Sequence, residues 1–166
     1  MTVKELKYHN LYLDLAQRIA LMSYAVRAKV GAIMVKGGSI LDYGWNGTPS
    51  GFDNECEYVA ETIHLGDNKY TEILKTKDEV LHAESNCISK VAKRGVSSDE
   101  STLYLTMAPC FRCSKMIIQS GIKEVYYRGD YCNDDGSLKK EGIELLNKAQ
   151  IPVIQIKKNS ATEDYP

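Results

Sequence analysis

The chain has 166 residues, 43% of them hydrophobic and 26% charged, with a formal net charge of −1 at pH 7. This composition suits one soluble globular domain with a substantial core, and a pI near 6.3 implies no strong global attraction to a polyanion such as nucleic acid. No apolar run approaches the roughly 20 residues of a membrane span.

Residues 1–10 are polar and mixed in charge, so they do not read as a signal peptide. Leu11, Leu15, Ile19 and Met22 recur at near-helical spacing and predict an amphipathic helix over residues 6–26. Val30-Gly31-Ala32-Ile33-Met34-Val35 predicts a short strand. Gly37-Gly38 is a turn signal, and residues 40–45 read as the antiparallel partner. Asn46-Gly47-Thr48-Pro49-Ser50-Gly51 dictates a loop. Periodicity is weak over residues 52–80, and a helix is expected around 57–64. The whole stretch of about 47–81 is long for a connection, which marks a functional insertion.

From His82 the pattern turns helical to about Arg94 and stops at Gly95. A strand at 102–106, a helix at 110–119 stopped by Gly121, and a strand at 124–127 follow. A helix at 138–149 and a strand at 152–156 complete the pattern, before a polar tail from about 157 that is expected to fray. Alternating helices and strands predict largely parallel pairing in the second half. The expected fold is α/β, a three-layer α-β-α arrangement around a five-stranded mixed sheet. A single domain over 1–166 is expected, with no internal repeat or linker.

The chemistry lies in His82-Ala83-Glu84 and Pro109-Cys110-Phe111-Arg112-Cys113. His82, Cys110 and Cys113 are three metal ligands, and Glu84 is a carboxylate left over. A structural zinc site closes four positions with protein groups, whereas a catalytic one keeps a position open for water. Cys110 and Cys113, three apart at a helix start, can reach one ion, and the helix N-terminus favours their thiolate forms. Pro109 suits a first helical turn. Zinc lowers the pKa of a bound water toward about 7. Glu84 is placed to take its proton and later deliver it to leaving ammonia. An isolated C-x-x-C can instead be redox-active or accidental, and a first-turn Glu is common for dipole reasons alone. The combination H-x-E…P-C-x-x-C is the zinc deaminase signature. A purely structural site would need a fourth protein ligand, and Glu84 could serve only by giving up its catalytic role. Five cysteines, an odd number with two in C-x-x-C, point to a reduced cytoplasmic compartment.

With its flanking residues the chain resembles the deoxycytidylate (dCMP) deaminases of the cytidine deaminase superfamily. The likeness covers most of the chain. It rests on the residue 30–35 strand, Gly44-Trp45-Asn46-Gly47-Thr48-Pro49-Ser50-Gly51, His82-Ala83-Glu84-Ser85-Asn86 and the 109–113 motif. It continues through Gln119-Ser120-Gly121-Ile122-Lys123-Glu124-Val125 and Asp130-Tyr131. The resemblance implies a cytidine deaminase-like fold, one catalytic Zn2+ and hydrolytic attack at C4 of cytosine. The product would be dUMP, a thymidylate precursor. It also implies a homohexamer activated by dCTP and inhibited by dTTP; from hydropathy and charge, no membrane or nucleic-acid partner is expected.

By position, Asn46 matches a sugar-contacting asparagine and Tyr131 a tyrosine lining the nucleotide site. The backbone N–H groups of Ala83 and Cys110 are expected to meet the base and the zinc-bound oxygen. Arg27, Asn86 and Pro109 join the expected substrate contacts, Arg27 and Lys29 toward phosphates. Lys29, Gly47 and Gly51 are expected at the effector site. Solvated surface is the bland alternative for Arg27 and Lys29, and a loop-anchoring hydrogen bond is the alternative for Asn86.

Trp45 replaces the usual tyrosine of the family segment. Phe111-Arg112 stands where many relatives carry small, polar or acidic residues, and is expected to reshape the pocket or its base selectivity. Some viral members carry a second zinc. Here Cys56 and His64 lie in the inserted segment, but Ala25 stands where those members have cysteine, so a complete second site is not expected. Cys87 and Cys132 are expected to be buried or free thiols. Competing readings are a deaminase of 5-modified dCMP or dCTP, a tRNA or DNA deaminase, and a non-catalytic nucleotide-binding zinc module. The first two share the chemistry; the last has no use for Glu84.

Overall fold

In the computed structural model, residues 1–67, 69–133 and 136–158 are described. Helix α1, Val3–Ala20, opens with a capping box. The Thr2 hydroxyl accepts from the Glu5 N–H at 3.2 Å, and the Glu5 carboxylate accepts from the Thr2 N–H at 2.6 Å. The helix ends at Ala20, six residues short of the expected 26. Its buried stripe is Tyr12, Leu13, Ala16 and Ala20, while Leu11, Leu15 and Met22 are exposed. Of the expected apolar face only Ile19 packs on the core; the other three turn outward. The cause is close packing: a Cβ on Gly31 would lie 2.8 Å from the Ala20 backbone nitrogen. Only small residues fit at the crossing itself, Ala16 and Ala20, while Tyr12 and Leu13 pack to one side of it.

Strands β1, Gly31–Lys36, and β2, Ser39–Trp45, form the expected hairpin. The next segment corrects the expected helix at 57–64. It forms a second hairpin, β3, Glu57–Gly66, with β4, Lys69–Thr76, in a separate two-stranded sheet. Its Tyr, Val, Thr and Ile content suits strands. Both faces are largely exposed, so the in–out hydrophobic alternation that would betray a strand is absent.

Helix α2, Ala83–Lys93, then leads to β5, Thr102–Met107, α3, Phe111–Gln119, and β6, Glu124–Gly129. Helix α4, Glu141–Lys148, and β7, Val153–Gln155, finish the order. The helix expected from 138 thus starts at 141. Most of the expected polar tail, residues 159–166, lies outside the described residues.

The main sheet has the order β2-β1-β5-β6-β7. Strand β1 is antiparallel to β2 and β5, and β5, β6 and β7 run parallel. The mixed five-stranded sheet and its parallel second half agree with the sequence reading. On one face Val91, Ile117 and Leu146 bring α2, α3 and α4 onto Ala32, Leu103 and Val125. On the other, Leu13 and Ala16 of α1 cover Ile33, Tyr104 and Tyr126. No helix among the described residues is long and apolar enough to cross a membrane.

Gly44 sets how closely α2 approaches the sheet. A Cβ there would meet the Ala83 carbonyl oxygen and lie 2.6 Å from the Cys87 nitrogen. Those are backbone atoms of the helix that carries Glu84, so they yield only if the helix moves. Gly44→Ala is expected to cost about 1–3 kcal/mol by overpacking. Thermal denaturation reads that loss, and activity should fall with it because α2 shifts.

Candidate active site

Two helix starts meet at the C-terminal side of the parallel strands. His82 is the N-cap of α2 in an extended conformation, and its ring makes no capping bond. It is therefore available as a ligand. A backbone bridge places it: the Gly47 N–H donates to the Leu81 carbonyl at 3.1 Å, and the Leu81 N–H returns to Gly47 at 2.9 Å. Cys110 is the N-cap of α3, and its sulfur accepts from the Cys113 N–H at 3.5 Å.

His82 Nδ1 lies 3.5 Å from Cys110 Sγ and 3.5 Å from Cys113 Sγ. All three ligand atoms fall within 4.8 Å of one another. Around a tetrahedral zinc with ordinary bond lengths, a nitrogen and a sulfur ligand stand about 3.5 Å apart. The cluster fits zinc by donor type and by spacing. Bonds from Cys113 and His82 hold the Cys110 thiol well below its usual range, against the effect of burial. Cys113 is pushed up, because it donates to Cys110 and is buried. The bond to Cys110 raises His82. Losing the proton that the sulfurs share leaves two thiolates and an imidazole, a donor set suited to a borderline-soft divalent ion.

Glu84, only 3% exposed, lines the same cavity two residues beyond His82. Burial pushes its carboxyl above the ordinary range, opposed by its own backbone N–H and by His82. A buried carboxyl beside three ligands, yet not one of the clustered ligand atoms, is suited to proton transfer.

The cavity holds about 430 Å³, within the range of small-molecule sites. Of the residues expected from sequence, it brings together His82, Ala83, Glu84, Cys110, Asn46, Arg27 and Tyr131. Cys113 is buried behind them as the third candidate ligand. Asn46 also braces the wall: its Oδ1 accepts from the Val30 N–H at 2.8 Å, and its Nδ2 donates to the Ala28 carbonyl at 2.9 Å.

Five expected residues do not line the cavity. Asn86 donates to the Trp45 carbonyl at 2.9 Å, the loop-anchoring alternative. Pro109 is buried in the core, Lys29 is exposed, and Gly51 sits in an exposed turn at φ 97°. Gly47 acts through the bridge to Leu81. Phe111 and Arg112 are likewise exposed and off the lining, where the Lys115 ammonium covers the Phe111 ring at 5.4 Å. The expected effect on pocket shape has no direct contact to carry it. Trp45 packs with Tyr43 under Lys90, which suits an amphipathic ring.

Cys87 is buried beneath Gly44, and burial pushes its thiol up to about 12. Cys132 is exposed and on the cavity wall. Cys56 is buried, Ala25 is 2% exposed, and His64 lies on the exposed β3.

Sequence reasoning missed the wall supplied by the second hairpin. Glu57 and Thr76 face each other at its base. Glu57 Oε1 accepts from the N–H groups of Val26 at 3.1 Å and Arg27 at 3.2 Å. The Arg27 guanidinium donates to the Thr76 hydroxyl at 3.3 Å. Lys139 was missed too, because nothing near it in sequence marks a site.

A zinc-type ligand cluster and a buried glutamate, set at two helix starts against a mixed sheet, define the class as a zinc-dependent deaminase. The family described as "Cytidine and deoxycytidylate deaminase zinc-binding region" matches residues 6–128. The chain belongs to this family. It is 32% identical to the deoxycytidylate deaminase of Enterobacteria phage T4 over 168 residues, covering 81% of this chain and 86% of that protein. A probable deoxycytidylate deaminase of Caenorhabditis elegans is 32% identical, covering 92% and 71%. The crystal structure of the dCMP deaminase from cyanophage S-TIM5 in complex with dCMP and dUMP is 42% identical. It superposes with a TM-score of 0.73 and covers 94% of this chain and 99% of that one. Likeness to a tRNA:A34 deaminase structure, at 17% identity and a TM-score of 0.55, extends to the fold alone.

Proposed function

We propose that this protein hydrolyses dCMP to dUMP and ammonia. The observation that carries the reading is the His82, Cys110 and Cys113 cluster beside buried Glu84, with His82, Glu84 and Cys110 lining the cavity. The phage and nematode deoxycytidylate deaminases and the cyanophage complex with dCMP support the substrate.

His82, Cys110 and Cys113 hold the zinc. Bound there, zinc supplies an acidified water as a nucleophile at neutral pH. Glu84 takes a proton from the attacking water and passes it to the leaving amine. The C4–O bond forms, the C4–N bond breaks, and ammonia departs. The backbone N–H groups of Ala83 and Cys110 orient the base, and Asn46 and Tyr131 the sugar end. The whole chain acts as one deaminase domain in the cytoplasm, supplying a thymidylate precursor. It assembles as a homohexamer, and the outward Leu11, Leu15 and Met22 of the α1 region offer apolar surface to bury. dCTP activates and dTTP inhibits.

An absorbance assay on dCMP, 5-methyl-dCMP, 5-hydroxymethyl-dCMP, dCTP, deoxycytidine and tRNA tests this. dCMP should be the best substrate, and dCTP should change the shape of its saturation curve by favouring an active state. A higher kcat/KM on dCTP or tRNA would overturn the substrate. Curves unmoved by dCTP and dTTP would remove the regulation alone.

A further inference from the structure

The zinc cluster and Glu84 account for the reacting end of a nucleotide, but a charge on the cavity wall has no role there. Lys139 lines the cavity and is half-buried. Its ammonium lies 4.5 Å from the centroid of the Tyr131 ring and 3.5 Å from the Tyr131 hydroxyl oxygen. The backbone fixes this pair. The Lys139 N–H donates to the Tyr131 carbonyl at 2.7 Å, and Cys132 bridges to Leu138. Beyond the end of β6, Lys139 is thus held beside Tyr131.

The other charged groups on the wall are engaged by the protein. Glu57 accepts two backbone N–H groups, and Arg27 donates to Thr76. Asp130 accepts from the Gln155 amide at 3.1 Å. Among the described residues, Lys139 has no carboxylate within ion-pair distance. A phenol and a ring face orient an ammonium without neutralising it. Half-burial lessens its screening by salt. A compact, oriented ammonium that no described carboxylate pairs with, at a nucleotide-sized cavity, suits a phosphate dianion.

We infer that Lys139 is a specificity-determining residue that binds the phosphate of a nucleoside monophosphate, with Tyr131 holding the ammonium in place. The inference rests on the dCMP reading above and adds the residue that distinguishes nucleotide from nucleoside. Neighbouring sequence does not announce it; only the return of the chain beside Tyr131 does.

The test compares kcat/KM for dCMP and deoxycytidine in the zinc-loaded wild type, Lys139→Gln and Lys139→Arg. The wild type should prefer dCMP. Lys139→Gln should lower that preference about 10- to 100-fold, mainly through KM for dCMP, the size of one charge-assisted hydrogen bond. Lys139→Arg should keep most of it. A structural defect would lower both substrates together and leave the ratio unchanged. A wild type that prefers dCMP, with a Lys139→Gln variant that keeps the full preference, overturns the Lys139 assignment alone. A wild type that treats dCMP and deoxycytidine alike overturns the monophosphate reading with it.

Discussion

Glu84→Gln is expected to lower the rate of dCMP deamination by about 10²- to 10⁴-fold, the span of general acid–base catalysis, with zinc content and fold retained. The substitution is nearly isosteric, so the tight site around this 3% exposed side chain stays filled. What it removes is the exchangeable proton. Burial pushes the Glu84 carboxyl above the ordinary range, the environment in which carboxylates act in proton transfer. Glu84 is not one of the three clustered ligand atoms, so zinc should remain. Metal analysis beside the absorbance assay separates the outcomes. Near-normal turnover would remove the proton-transfer role. Loss of zinc would make Glu84 a fourth ligand and the site structural.

The metal site was the most legible part of the chain because its chemistry is local in sequence. His82 and Glu84 are two residues apart, Cys110 and Cys113 three, and each pair opens one helix. The sheet was legible for a similar reason: its buried strands are short apolar runs bounded by turns. Where reading failed, the deciding contact was distant. The face of α1 is set by Gly31 crossing Ala16 and Ala20 with Tyr12 and Leu13 beside them, not by Leu11, Leu15 and Met22. The β3–β4 hairpin hides because its exposed faces carry no alternating pattern. Yet its base supplies Glu57 and Thr76 to the cavity. Asn86 and Phe111 show the opposite error. They adjoin legible motifs, but helix geometry points them away from the cavity. Proximity in sequence to a ligand locates a helix, not the direction of every side chain on it.

Cys113→Ala should lose bound zinc, lower the melting temperature and abolish deamination together. Cys113 is 3% exposed at the third position of α3, and its sulfur lies 3.5 Å from His82 Nδ1. Removing it leaves one sulfur and one imidazole, too few for a tight zinc site. Zinc that binds only the folded chain adds its binding free energy to stability. The domain should still fold, because the cores on both faces of the sheet do not depend on the ion. A strong chelator should therefore lower the melting temperature of the wild type toward that of the variant, and should have little further effect on the variant itself. Full zinc retention in Cys113→Ala would show the ligand set to be wrong. A fall in melting temperature that chelator deepens in the variant would mean that Cys113 acts by packing. The contrast with Glu84→Gln is then diagnostic: one variant loses turnover with its metal in place, the other loses turnover because the metal is gone.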